Sequence, residues 1–212
     1  MKGLFITLEG TEGSGKSTQI ALLAERIRQQ RRTVRTLREP GGTPVGEEIR
    51  HTLKHSAQSQ AMTPETELLL MNASRAQLVR EIIRPALAAD EVVLCDRFYD
   101  STTAYQGYGR GLPLDLVRTM VDFAVGESRP HLTLLLHIPL SVSEARRASR
   151  GTGQVTQWDR MEEADRGFFE RVEQGYMAIA AAEPKRVRLI EATQDTEQVS
   201  AAIWSHVQPL LA

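Results

Sequence analysis

The sequence predicts a three-layer α/β domain: a five-stranded parallel sheet covered on both faces by helices. Three observations carry this. Five short apolar runs punctuate the chain, longer amphipathic segments separate them, and a glycine-rich break follows the first run directly. Runs that are apolar throughout suit strands buried on both faces, as in parallel sheets, and right-handed crossovers then follow from chain chirality.

The runs are GLFITL (3–8), TVRTLR (33–38), EVVLCD (91–96), LTLLLHI (132–138) and RVRLIEA (186–192). After the first, Ile20, Leu23, Ala24 and Ile27 recur at i, i+3, i+4 and i+7, while Glu25, Arg26 and Arg28 face away, which predicts an amphipathic helix. A last helix over roughly 195–211 places Val199, Ile203, Val207 and Leu210 on one stripe, with Asp195 or Thr196 as its cap. Between two helical patterns, SRGTGQVTQWDR (149–160) is glycine-rich and polar and suits a mobile loop. There is no internal repeat and no interdomain linker, so one domain spanning 1–212 is expected.

Composition narrows the classes of function. With 26 basic and 27 acidic side chains the formal charge is −1, so no global field points to nucleic acid or an anionic membrane. No apolar stretch approaches the ~18 residues that span a bilayer, and the N-terminus does not look like a signal peptide. The single cysteine, Cys95, closes an apolar run and reads as a buried structural thiol in a reducing compartment. A cytoplasmic protein with neither nucleic-acid nor membrane partners is the expectation.

The break after the first run is the strongest local signal. Gly10, Thr11, Glu12, Gly13, Ser14, Gly15, Lys16 and Ser17 fit G-x-x-x-x-G-K-[ST] in full, after a strand and before a periodic helix, and Thr18 follows. Glycines let successive N–H groups turn inward without side chains that block a phosphate, and the helix N-terminus adds positive potential. Lys16 then reaches the β- and γ-phosphates, and Ser17 holds Mg2+. This is a nucleoside triphosphate site.

Which phosphate chemistry it serves depends on the other motifs. The chain has no N-K-x-D and no D-x-x-G motif, which speaks against a switch GTPase. The third run ends in Asp96-Arg97; Asp96 suits Mg2+ or its waters, and Arg97 a second phosphate, although a strand-end ion pair is the plainer alternative. Thr102, Tyr105 and Gln106 lie three and four apart, so one helical face carries them to a base edge and sugar, or they only cap and solvate a short helix. Met71 and Arg75 are at i and i+4, suited to a base ring and its carbonyl edge, or to core packing and a carboxylate partner. Arg146, Arg147, Arg150 and Arg160 flank the irregular loop, where Asp159 is the only acid across 146–160; a solvated basic face or a lid over the transferring phosphoryl group both account for them.

Together these residues resemble bacterial thymidylate kinases over essentially the whole chain. The resemblance rests on LEGTEGSGKST (8–18), REPGGT (38–43), SRAQ (74–77), DRFYDSTTAYQG (96–107) and a basic segment ending DRMEE (159–163). It implies a P-loop nucleoside triphosphate hydrolase fold, strand order 2-3-1-4-5, a lid over about 146–162, and a homodimer formed through helices; Leu69, Ile82 and Ile83 permit the last but suit a core equally. It also implies transfer of the γ-phosphoryl group of ATP to thymidylate (dTMP), giving dTDP and ADP with Mg2+. Under that resemblance Glu9 lies near the sugar and the metal-bound phosphates, Pro40 faces the thymine methyl, and Arg75 binds the thymine O4. Arg97 binds the acceptor phosphate with a further contact from Arg50, Thr102 and Gln106 lie near the base edge, and Tyr105 crowds the 2′ position. Asp159 and Glu162 resemble acids near sugar and metal. Met71 stands where many members have phenylalanine, and Gly13 where some carry an arginine, so the catalytic arginine is expected from the lid, Arg150 before Arg146 or Arg147.

Two other readings fit parts of the pattern: a related kinase acting on a deoxynucleoside or another monophosphate, and a nucleotide-dependent switch or assembly protein.

Overall fold

The computed structural model describes residues 3–56, 59–150 and 165–211, with backbone alone at 147 and 150. Five strands, β1 (Leu4–Glu9), β2 (Val34–Arg38), β3 (Val92–Asp96), β4 (Leu132–His137) and β5 (Val187–Glu191), all pair in parallel. Their order is β2-β3-β1-β4-β5, as the resemblance implied.

The helices are α1 (Lys16–Gln29), α2 (Pro44–Lys54), α3 (Pro64–Leu78), α4 (Arg84–Ala88), α5 (Tyr99–Thr102), α6 (Leu114–Val125), α7 (Leu140–Arg150), α8 (Arg166–Ala182) and α9 (Thr196–Val207). α3 runs into α4 through a π-helical turn at Val79–Ile83, and α5 continues as a π-helix over Thr103–Gly109. Thr43, Thr63, Asp165 and Asp195 cap α2, α3, α8 and α9 by accepting a backbone N–H with their side chains.

β1 is buried along its whole length because both faces are covered. Leu4, Ile6 and Leu8 pack with Ile20, Leu23 and Ile27 of α1 and Ile203 of α9, whereas Phe5 points oppositely and packs with Val93, Cys95 and Phe98. Cys95 is a free, buried thiol, as expected. The stripe on α9 ends earlier than the sequence suggested: Val199, Ile203 and Val207 are buried, but Leu210 is 43% exposed. The chain tightens into a 3-10 turn at Gln208–Leu210, with Pro209 inside it, and the changed residue angle swings Leu210 off the stripe. Ile83 is core, and Leu69 is exposed.

The expected lid lies outside the described residues from 151 onward, with Asp159, Arg160 and Glu162, as do the side chains of Arg147 and Arg150. Residues 146–150 form the last turns of α7. Among the described residues no helix is long and apolar enough to cross a membrane.

Candidate active site

At the carboxyl ends of β1, β2 and β3 a cavity of about 570 Å³ opens. Five short stretches, separated in sequence, converge on it.

The first is the turn between β1 and α1. Gly10 sits at φ 132, and a Cβ there would come within 2.3 Å of the Leu136 carbonyl, so only glycine passes over β4. Gly15, at φ 92, faces open space, which leaves the start of α1 bare for a ligand. Glu12, Gly13, Gly15, Lys16, Ser17 and Thr18 line the cavity. Lys16 Nζ donates to the carbonyls of Gly10 and Thr11, both at 2.9 Å, and to Ser14 Oγ at 3.3 Å. Burial and the nearby Arg97 guanidinium press its ammonium down to about 8. Ser17 Oγ donates to Asp96 Oδ2 at 3.0 Å, so the two expected metal-side residues meet.

The loop after β2 and the helices α2 and α3 supply the opposite wall, with Pro40, Arg50, Met71 and Arg75. Glu39–Pro40 is a cis peptide. The Pro40 carbonyl accepts from Arg38 at 3.0 Å and from Arg50 at 2.9 Å. Ser74 Oγ accepts the Gly41 N–H at 3.0 Å, which joins the REPGGT loop to α3.

Arg75 is only 2% exposed, so its charge needs a partner. Nε and Nη2 both donate to Glu39 Oε2, at 2.8 and 2.6 Å, and Nη1 donates to Asn72 Oδ1 at 3.1 Å. The carboxylate partner foreseen as the alternative is therefore real, and Arg75 still faces the cavity. Burial raises the Glu39 carboxyl, and Arg75 opposes that shift.

Arg97 follows β3 at φ 66, a left-handed conformation that aims its side chain back across the phosphate loop. Nη2 donates to Glu12 Oε1 at 2.6 Å and Tyr105 Oη at 3.2 Å, while Nη1 donates to Ser101 Oγ and Tyr176 Oη, both at 3.1 Å. Burial works against charge on Glu12, yet Arg97, Lys16 and the Tyr105 hydroxyl hold it at about 2. Thr102, Tyr105 and Gln106 do share a cavity face, but across the switch from α5 into the π-helix. Gln106 Nε2 is anchored on the buried Glu67 at 2.7 Å.

Glu9 does not line the cavity; it is fully buried beneath it. It accepts the Phe98 N–H at 2.7 Å, Ser101 Oγ at 2.6 Å and the Tyr176 hydroxyl at 3.1 Å. Alternation along β1 turns this last strand residue into the fold, whereas Glu12, Glu39 and Asp96 line the cavity. Burial and Asp100 lift Glu9 to about 7 against the Ser101 and Phe98 donors and Arg97. Gly10, Thr11 and Ser14 also stay behind the wall, holding Lys16.

Sequence reasoning missed Glu39, Ser101 and Tyr176. The first two sit inside motifs already singled out, REPGGT and DRFYDSTTAYQG, whereas Tyr176 on α8 has no local signal. Arg146, a candidate for the transferring phosphoryl group, donates to the Gly13 carbonyl at 2.9 Å.

The family model described as "Thymidylate kinase" matches residues 8–203. The chain belongs to the thymidylate kinase family. It is 49% identical to a thymidylate kinase of Ectopseudomonas mendocina over 211 residues, covering 100% of this chain and 98% of that one. Against a thymidylate kinase of Deinococcus radiodurans the identity is 47%, with 97% of each chain covered. A crystal structure of thymidylate kinase from Ehrlichia chaffeensis superposes with a TM-score of 0.78 at 31% identity, covering 98% of this chain and 99% of that chain.

Proposed function

We propose that the chain transfers the γ-phosphoryl group of ATP to dTMP, giving dTDP and ADP. The observation that carries this is a cavity lined on one side by the phosphate loop and also by Arg38, Arg50, Arg75 and Arg97. Full-length similarity to thymidylate kinases supports the same reading.

Two anions must meet, and close phosphates repel by about 4 kcal/mol per unit-charge pair at an effective dielectric near 20. Lys16 neutralises the donor side and Arg97 the acceptor phosphate, with Arg50 beside it. Arg75 reads the thymine O4 while Pro40 and Met71 flank the ring. Thr102 and Gln106 border the base edge, and Tyr105 crowds the 2′ position. Glu12, rather than Glu9, takes the sugar-side role, because its carboxylate lies in the cavity between Arg97 and Tyr105. Arg150 acts on the transferred phosphoryl group, and Asp159 and Glu162 stand near sugar and metal; these three side chains lie outside the described residues. An acceptor phosphate is already ionised near neutral pH, so no general base is needed.

The metal donors fit Mg2+. Ser17 Oγ and the Asp96 carboxylate are hard oxygen ligands within 3.0 Å of each other, and a site with few protein ligands suits an ion that keeps its waters. Bound there, the ion would neutralise charge on the phosphate oxygens. Among the described residues no cluster of three His, Cys, Asp or Glu forms a rival site.

A nucleoside kinase would need a base for a 5′-hydroxyl. Glu12, held at about 2 by its cation partners, is poorly matched to that task, and Glu9 is buried beneath the cavity. A cytoplasmic homodimer completes the reading; Leu69 on α3 and Phe123 on α6 are exposed apolar positions for a second copy.

The test mixes purified protein, ATP and Mg2+ with dTMP, deoxyuridylate, uridylate, cytidylate or thymidine, and follows ADP release with chromatography of the product. Fast turnover with dTMP alone is expected. Comparable turnover with deoxyuridylate would withdraw methyl selection by Pro40 and Met71. Turnover with thymidine, or tight ATP binding without turnover, would replace this reading.

A further inference from the structure

The α7 helix begins three residues after β4 ends at His137, and its side chains reach the phosphate loop. Ser143 and Arg146 are three apart on this helix, so they share a face. Ser143 is 1% exposed, and its Oγ donates to the Glu12 carbonyl at 2.6 Å. Arg146 Nη1 donates to the next carbonyl, Gly13, at 2.9 Å, and reaches the Ala192 carbonyl at 3.4 Å. The two preceding carbonyls, Gly10 and Thr11, are taken by Lys16 Nζ. Carbonyls of four consecutive loop residues are thus each held by a side chain.

This matters because a peptide is planar and trans: where a carbonyl is fixed, the N–H of the following residue points the opposite way. Fixing the carbonyls of residues 10–13 therefore sets the N–H directions of residues 11–14. Of these residues Glu12 and Gly13 line the cavity, where such a loop presents N–H groups to phosphates, whereas the Ser14 N–H turns back to the Thr11 carbonyl at 3.4 Å. Ser143 contributes to this from outside the loop, 131 residues away in sequence.

We propose that Ser143 is a positioning residue for the donor nucleotide. By holding the Glu12 carbonyl outward it aims the Gly13 N–H at the donor phosphates, and it ties α7, which carries Arg147 and Arg150, to the loop. The proposal rests on the donor-site reading given above. It does not require Ser143 to touch either substrate.

The experiment compares wild type, Ser143→Ala and Ser143→Thr in steady-state kinetics with ATP and dTMP each varied, and records the ³¹P resonances of bound ADP. Leaving a buried carbonyl without its donor predicts that Ser143→Ala raises KM for ATP roughly tenfold. It shifts the β-phosphorus resonance and leaves KM for dTMP within about twofold, while Ser143→Thr, which keeps the hydroxyl, stays near wild type. If Ser143→Ala does not fold, Ser143→Cys carries the same comparison with a weaker donor. Unchanged KM for ATP with an unmoved β-phosphorus resonance would overturn the proposal. So would a parallel rise in both KM values with a lowered melting temperature, which marks general loosening. Calorimetry of ATP on the wild type separates the two failures: no ATP binding there overturns the donor-site reading itself.

Discussion

Arg97 Nη2 lies 2.6 Å from Glu12 Oε1, so the cation expected to receive the acceptor phosphate is held by a residue of the phosphate loop. Tyr105 bonds to both members of the pair. The phosphate loop and the segment after β3 therefore share one charged unit, and displacing either partner disturbs both.

Glu12→Gln is expected to weaken dTMP binding by roughly thirtyfold or more, since truncating one partner of a desolvated charge pair costs about 2–5 kcal/mol. Titration calorimetry with dTMP reads this directly. Unaltered affinity would reduce Glu12 to a loop residue with no part in acceptor binding.

Arg75→Met leaves Glu39 buried beside an apolar group and should lower stability by about 3–5 kcal/mol. Arg75→Met combined with Glu39→Gln should recover much of that loss in urea unfolding, because no uncompensated charge remains. The double variant should still bind dTMP poorly; normal binding would remove Arg75 from the base site.

Ser17→Ala and Asp96→Asn should each raise the Mg2+ concentration that gives half-maximal rate, Asp96→Asn more strongly because it also loses charge. Rates measured across a Mg2+ series decide this. An identical Mg2+ dependence in both variants would move the ion elsewhere.

Glu9 gives a pH signature. Its carboxyl is raised from 4.5 to about 7 in the fold, so the folded protein binds the proton more tightly than the unfolded chain. That contribution is fully present below about 4.5 and is lost as pH rises through about 7, a swing on the order of 3 kcal/mol. Relative to Glu9→Gln, wild type should thus lose stability between pH 5 and pH 8 in denaturant unfolding. A wild-type-minus-variant difference that does not move with pH would mean that burial fails to shift Glu9.

Arg150→Ala is expected to lower kcat by about 10³ or more, the worth of an arginine on a transferring phosphoryl group, while dTMP affinity changes little. Single-turnover kinetics test it, and a normal rate would pass the role to another arginine.

The strands were legible because β1, β3 and β4 are mainly apolar runs and β2 and β5 carry apolar residues among charged ones: the five expected runs differ from the observed strands by one or two residues at their ends. The phosphate loop was legible for a similar reason, since strand, glycines, lysine and helix are contiguous and the chemistry is local. The strand order needed more, and came from likeness to a family rather than from periodicity. Thr102, Tyr105 and Gln106 were placed on one face by α-helical spacing, and they do share the cavity although the helix there is π.

Partnership is what the tertiary structure alone decided. Arg75 finds Glu39 across 36 residues, Arg97 finds Tyr176 across 79 and Glu12 across 85, and Ser143 finds the Glu12 carbonyl across 131. No local pattern encodes such meetings; they arise when strands stack in the order 2-3-1-4-5 and bring separate loops to one sheet edge. The same stacking sends Glu9 inward and Glu12 into the cavity. The amino-acid sequence by itself determined which elements form and which phosphate chemistry the first loop supports, because both depend on neighbouring residues. Which acid faces the ligand, and which side chains hold the arginines, depended on how those elements pack, because a side chain's direction and burial exist only once the layers close over one another.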